Sequence, residues 1–321
     1  MVTPLLVNYI NGAKILLKQV LSGHNSLEVI PDLEGQVAIV TGGNKGIGLE
    51  TVKGLCKAQM TVIIACRDAE TAQKAIKELK EELPQAKVEY MELDLGSLGS
   101  IRTFVTNFKK KGLPLHVLVN NAGIMFPPYE TTEDGFELQF GVNHIGPFTL
   151  TNLLLEDLIK SGSPERRSRI VTVSSAAHVP GTMNFEDLQS KNYYSPYLAY
   201  SQSKLANILF TYELQRRLNE RNSPVTANVL HPGVVNTDLF HHIHWIVRIP
   251  QNVLAYFLFQ TPKQGADNSL YVALSHELEG MAGIYFVNCQ PTQSSDESYR
   301  EDVQKGSGKS VVNSLAFLNN F

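Results

Sequence analysis

The stretch VAIVTGGNKGIGLETV, residues 37–52, joins a run of buried-type residues, a glycine cluster and the start of a helical pattern. That order gives a glycine motif its meaning, because backbone N–H groups at a helix N-terminus face whatever the turn encloses. The spacing is TGxxxGxG, with Thr41, Gly42, Gly46 and Gly48 at its marked places. Gly42 permits the tight turn, Gly46 lets backbone approach a pyrophosphate, and Gly48 lets the helix sit close to the strand. The turn predicts a dinucleotide site.

Outward from it, short runs rich in β-branched residues alternate with longer stretches of helical period, the pattern of βαβ units. QVAIVT, TVIIAC, VEYMEL, LHVLVN, RIVTVSS, TANVLHP and GIYFVN are the strand candidates, and helices are expected over 47–58, 68–82, 97–111, 133–159, 197–219 and 262–274. The expected fold is α/β: a single doubly wound (Rossmann) domain over 35–290, a seven-stranded parallel sheet with helices on both faces. Its ligand belongs at the carboxyl ends of the strands.

At the end of the second strand, a cofactor without a 2'-phosphate meets an acid on its ribose, whereas NADP needs a cation. Here the acid is replaced by Cys66 and followed by Arg67, with Lys45 as a second positive charge inside the glycine turn. A guanidinium suits a phosphate dianion, so NADP(H) is favoured. NAD(H) stays possible because Asp68 is placed either to hold a 2'-hydroxyl or to cap the next helix.

Residues 192–204, NYYSPYLAYSQSK, set four tyrosines near one lysine. A phenol near pKa 10 needs a nearby cation to work as an acid–base at neutral pH, and on a helix that cation sits at i+3 or i+4. Tyr200 and Lys204 meet the test. The strand VTVSS runs into Ser174 and Ser175, a hydroxyl suited to a substrate oxygen, and FGVNHIG carries Asn143 in a helical pattern.

TGGNKGIG, Asp94–Leu95, NNAG at 120–123, Asn143, Ser175, YSQSK and PGVVNT at 232–237 together resemble the short-chain dehydrogenases/reductases, in order and spacing, over about residues 35–290. PLHVLVNNAGIM and YSQSKLANILFTYELQRRL look like the retinol-dehydrogenase branch. The resemblance implies a tetrad in which Tyr200 exchanges the proton with the substrate oxygen and Ser175 holds that oxygen. In it Lys204 lowers the tyrosine pKa and binds the nicotinamide ribose, and Asn143 anchors a water relay. It implies cofactor contacts at Thr41, Gly42, Asn44, Lys45, Gly46, Ile47, Gly48, Arg67, Asp94, Leu95, Asn121, Ala122, Gly123, Pro232, Gly233, Val235 and Thr237. It further implies an oxidoreductase acting on a long-chain lipid alcohol or aldehyde, foremost polyprenol oxidation and dolichal reduction in dolichol synthesis, with retinol and retinal as the alternative. A dinucleotide-binding scaffold without turnover is the rival class.

Residues 1–34 read as an amphipathic or membrane-anchoring segment: Asn8, Asn11, Lys14 and Lys18 recur on one helical face and Leu6, Ile10, Ala13, Leu17 and Leu21 on another. A hydrophobic lid is expected at about 238–262, overhanging the cleft, with 291–321 as a C-terminal tail. The expected partners are a hydrophobic polyprenoid or retinoid substrate and a membrane surface met through the N-terminal helix and the lid. The expected location is the endoplasmic reticulum membrane with the catalytic domain facing the cytosol, or else the lipid droplet surface. A net charge of -3 gives no basic footprint for nucleic acid. Three scattered cysteines, Cys56, Cys66 and Cys289, make no disulfide framework. His241, His242 and His244 lack a second ligand cluster, so no metal is expected.

Overall fold

A computed structural model describes residues 23–235 and 259–318 of the 321-residue chain. The expected N-terminal helix, the three-histidine run, Thr237 and nearly all of the expected lid lie outside the described residues.

The strands are β1 (Val37–Thr41), β2 (Thr61–Cys66), β3 (Lys87–Glu92), β4 (Val117–Asn120), β5 (Ser168–Val173), β6 (Val225–His231), β7 (Tyr285–Val287) and β8 (Gln290–Thr292). They form one sheet in the order β3-β2-β1-β4-β5-β6-β7-β8. The first seven are parallel, as expected, and β8 adds an antiparallel edge through a tight turn with Asn288 and Cys289 at positive φ. This eighth strand escapes a pattern reading because it has only three residues and carries Pro291, tolerated at a sheet edge.

Alternation along β1 shows why buried parallel strands read as continuous apolar runs. Val37 and Ile39 join the core on one face, while Ala38 and Val40 join the core on the other. Helices α1 (Gly46–Lys57), α2 (Ala69–Glu82) and α6 (Pro262–Leu274) feed the second core; α3 (Leu98–Lys110), α4 (Gly146–Ser161) and α5 (Pro196–Glu220) feed the first.

The sheet reverses direction between β1 and β4, which opens a crevice at their carboxyl ends. The expected helix 133–159 begins later, because Gly135 at φ +82 and an antiparallel bridge between Thr131 and Glu137 turn the chain first. It then runs through a short helical turn at Leu138–Phe140 and a π turn at Gly141–Ile145 before α4. Residues Glu301–Leu318 form a further helix, α7, whose Val303 packs on Leu205 and Leu209 of α5.

Candidate active site

The glycine turn closes on itself at atomic contact. Gly42 and Gly46 sit at φ +64 and +56, backbone that side chains rarely adopt. A methyl group on Gly48 would lie 2.1 Å from the carbonyl oxygen of Gly42. The Thr41 hydroxyl accepts from the N–H groups of Asn121 and Ala122, both at 3.0 Å, and the Asn121 amide donates to the Thr41 carbonyl at 2.9 Å. The ends of β1 and β4 are thereby tied together, with Asn121 as the clasp. Helix α1 has no side-chain N-cap, whereas α2, α3, α5 and α6 are capped by Asp68, Ser97, Ser195 and Thr261. The one of these helix starts left uncapped is the one aimed from the glycine turn, and its free N–H groups suit an anion. Ile47 lies in this first turn.

Around the end of β2, Asp68 caps α2 by accepting from Thr71 N–H at 3.1 Å, a bond that holds its carboxyl below the usual range with help from nearby Lys45. Asn44 donates to the Thr71 hydroxyl at 2.7 Å and so ties the glycine turn to the same helix. The largely exposed Arg67 guanidinium faces Asp94 at 4.0 Å, and Asp94 accepts from Gly96 N–H at 2.8 Å. Leu95 turns into the core.

Tyr200, Ser175, Lys204 and Asn143 converge. Tyr200 and Lys204 lie one turn apart on α5, with Nζ 5.7 Å from the tyrosine ring centroid. Lys204 Nζ donates to the Val173 carbonyl at 3.2 Å, and the Ser174 hydroxyl donates to the Lys204 carbonyl at 2.7 Å, locking α5 to the end of β5. The Ser175 hydroxyl lies beside the Tyr200 phenol and favours its ionised form. Burial pushes the Tyr200 phenol up to about 12, against the lowering effect of Ser175, and pushes the Lys204 ammonium down to about 8. Burial thus shifts both groups toward their neutral forms, while a lysine at about 8 still carries its proton at neutral pH.

Asn143 sits in the π turn and donates to the Ser203 hydroxyl at 3.0 Å, joining the start of α4 to α5. Gly123 lies between the two polar groups: a methyl there would be 3.1 Å from Asn143 Oδ1 and 3.4 Å from Lys204 Nζ. Only a glycine leaves space between Asn143 and Lys204 here, on the path along the strand ends from the glycine turn to Tyr200 where a dinucleotide would lie.

Pro232 and Gly233 follow β6, and Val235 bridges Gln260, so the chain leaves and re-enters the described residues at adjacent points.

Two side chains escaped the sequence reading. His178, in the turn after Ser175, donates from Nδ1 to the Ser175 carbonyl at 2.7 Å and accepts from Ser295 N–H at 3.1 Å. Phe126, at φ +59, meets the Tyr200 ring edge-on at 5.5 Å. Neither carries a local signal, since each acts through a partner far along the chain. No group of three or more His, Cys, Asp or Glu suited to a metal occurs among the described residues.

A nucleotide-binding groove and a buried tyrosine–lysine–serine cluster define an oxidoreductase, and the short-chain dehydrogenase model matches residues 36–245. The chain belongs to the short-chain dehydrogenase family, and the cofactor of its groove is a nicotinamide dinucleotide. It is 48% identical over 300 residues to the human (Homo sapiens) polyprenol dehydrogenase, covering 92% of this chain and 91% of that one. It is 45% identical to mouse (Mus musculus) retinol dehydrogenase 14, covering 85% and 84%. A solved structure of an uncharacterized protein from Mycobacterium Paratuberculosis superposes with a TM-score of 0.72 at 35% identity, over 91% of this chain and 97% of that one.

Proposed function

We propose that this chain interconverts a polyprenoid alcohol and its aldehyde with NADP(H), oxidising polyprenol and reducing dolichal in dolichol synthesis. The convergence of Tyr200, Ser175, Lys204 and Asn143 on one groove carries the proposal, and the identity to human polyprenol dehydrogenase over nearly the whole chain supports the substrate class. A bound nicotinamide dinucleotide would supply or accept the hydride, held by the glycine turn and Lys204. Ser175 holds the substrate oxygen, and Tyr200 gives it a proton in reduction or takes one in oxidation. Lys204 binds the nicotinamide ribose and sets the tyrosine's acidity, while Asn143 fixes the wall behind it and anchors the water relay.

Arg67 meets the 2'-phosphate, because Asp68, the acid that would favour a free hydroxyl, is engaged as a helix cap. Asp94 and Leu95 border the adenine, Thr41 to Gly48 the pyrophosphate, and Pro232 to Thr237 the nicotinamide. Residues 1–34 and 238–262 meet the membrane of the endoplasmic reticulum from the cytosolic side. No helix among the described residues is long and apolar enough to cross a membrane.

NADPH consumption by detergent-purified protein, wild type against Tyr200→Phe, with dolichal and all-trans-retinal offered in parallel, tests this reading. Tyrosine-dependent turnover of dolichal is expected. Turnover of retinal alone would favour the second reading, a retinal reductase, which the 45% identity to retinol dehydrogenase 14 supports. No tyrosine-dependent turnover with either cofactor would leave a dinucleotide-binding scaffold.

A further inference from the structure

Beside the tetrad, a cleft of about 180 Å³ opens against Ala176, the residue after Ser175, and runs between the ends of β6 and β7 to the chain segment at Gly23–Asn25. Among the described residues that line it there is no Asp, Glu, Lys or Arg.

Several of the polar lining residues have their polar atoms bonded within the protein. Both His178 nitrogens are engaged, by the Ser175 carbonyl and Ser295 N–H. Asn268 donates to the carbonyls of His231 and Phe286 and accepts from Cys289 N–H. Asn288 accepts from Asn25 N–H at 2.9 Å and donates to the Gly23 carbonyl at 3.3 Å. What remains for an occupant is mostly carbon, the ring faces of His178 and Tyr285 with Val179, Val287 and Pro232, beside the amides of Gln260 and Gln293 and the Tyr285 hydroxyl. Burial also keeps His178 and His231 below the usual imidazole range and therefore neutral. Such a surface gains by taking an uncharged, largely hydrocarbon group and offers no charged side chain to an anion.

We propose that this cleft binds the isoprene units nearest the reacting carbon, between Val179 and Val287, and that the rest of the lipid leaves past Gly23. The inference rests on the polyprenoid reading and deepens it. The far wall is a built one: Gly23–Asn25 is stitched to the β7–β8 turn by Asn288 and to α6 by His24, which meets Asp267 at 2.7 Å.

Two measurements test the site independently. Val179 is half exposed, so Val179→Trp and Val179→Cys leave the core intact. In detergent micelles at one mole fraction, Val179→Trp and Val287→Trp are expected to lower the ratio of kcat/KM for geranylgeraniol over 3-methylbut-2-en-1-ol at least tenfold. In Val179→Cys, whose three native cysteines are buried, geranylgeraniol is expected to protect the new thiol from a maleimide. Equal losses for both alcohols, or an unprotected thiol, would overturn the cleft assignment. Protection without oxidation of any prenol would instead sink the polyprenol reading and leave the cleft standing.

Discussion

The side chain of Asn143 makes both hydrogen bonds of a single backbone unit, accepting from Ile124 N–H at 2.8 Å and donating to the Ile124 carbonyl at 2.9 Å. Asn143 is buried, so Asn143→Ala takes the partner from both part-buried Ile124 groups. An expected loss of about 2–4 kcal/mol follows from leaving buried polar groups unpaired. Urea unfolding of the purified protein measures it, and Asn143→Asp, which keeps the acceptor and loses the donor, is expected to fall between.

Burial holds Lys204 at about 8, below the ordinary lysine value of 10.5. Below the lower value both folded and unfolded chains carry the proton. Between the two values the unfolded chain binds more protons, so this residue's contribution makes stability rise with pH across that window. Lys204→Met removes the rise. The difference in unfolding free energy between wild type and Lys204→Met is therefore expected to grow in favour of wild type from pH 8 to 10.5, and a flat difference would contradict the burial argument.

The same environment holds Tyr200 up at about 12. Reduction uses the protonated phenol, already abundant at neutral pH, whereas oxidation uses the scarce phenolate. The kcat/KM for alcohol oxidation is expected to climb about tenfold per pH unit through neutrality while that for aldehyde reduction stays flat. Parallel pH–rate profiles in both directions check the asymmetry.

Two glycine substitutions should have opposite signs. In Gly48→Ala the new methyl meets the Gly42 carbonyl and the Asn121 amide, which are held by the β1–β4 clasp and cannot yield. A cost of about 1–3 kcal/mol and a loss of dinucleotide affinity are expected. Gly308 in α7 has no neighbour among the described residues within 4 Å of a new methyl, so Gly308→Ala should stabilise by about 0.5–1 kcal/mol. Thermal melts with and without NADPH separate the two effects.

Arg67→Ala removes the cation offered to a 2'-phosphate and is expected to raise the KM for NADPH at least tenfold while leaving that for NADH nearly unchanged. Asp68→Asn keeps an equally good cap on α2, so it should change neither stability nor NADH use. A large effect of Asp68→Asn on NADH would mean that its carboxylate serves the ribose after all.

Much of this architecture is legible in sequence because it is local. The seven parallel strands stand where β-branched runs put them, and α6 spans the expected 262–274. The glycine spacing and the four-residue step from Tyr200 to Lys204 needed no distant information either. What could not be read depends on partners far along the chain. The π turn around Asn143 is drawn by Ile124 and Ser203, and β8 exists only because the β7–β8 turn folds it back on β7. Helix α7 contains Gly306 and Gly308, weak helix formers, and is held by packing on α5. Composition alone hides it.

The bond from Ser295 N–H to His178 gives the last prediction, because it connects the C-terminal segment to the turn that carries Ser175. Ser295 has φ -65 and ψ 150, a conformation proline adopts without strain. Ser295→Pro therefore removes this one donor and leaves the surrounding chain path in place. His178 Nε2 loses its partner at 3.1 Å, while its Nδ1 bond to the Ser175 carbonyl is left to hold the turn alone. The glycine turn and Arg67 lie at the far end of the groove, so the NADPH dissociation constant should stay within twofold. Turnover should fall about tenfold, since ~1.4 kcal/mol of lost positioning corresponds to that factor. Dinucleotide titration beside steady-state kinetics decides it: weakened NADPH binding would mark a general loosening of the fold, and unchanged turnover would show that Ser175 keeps its place without the clamp.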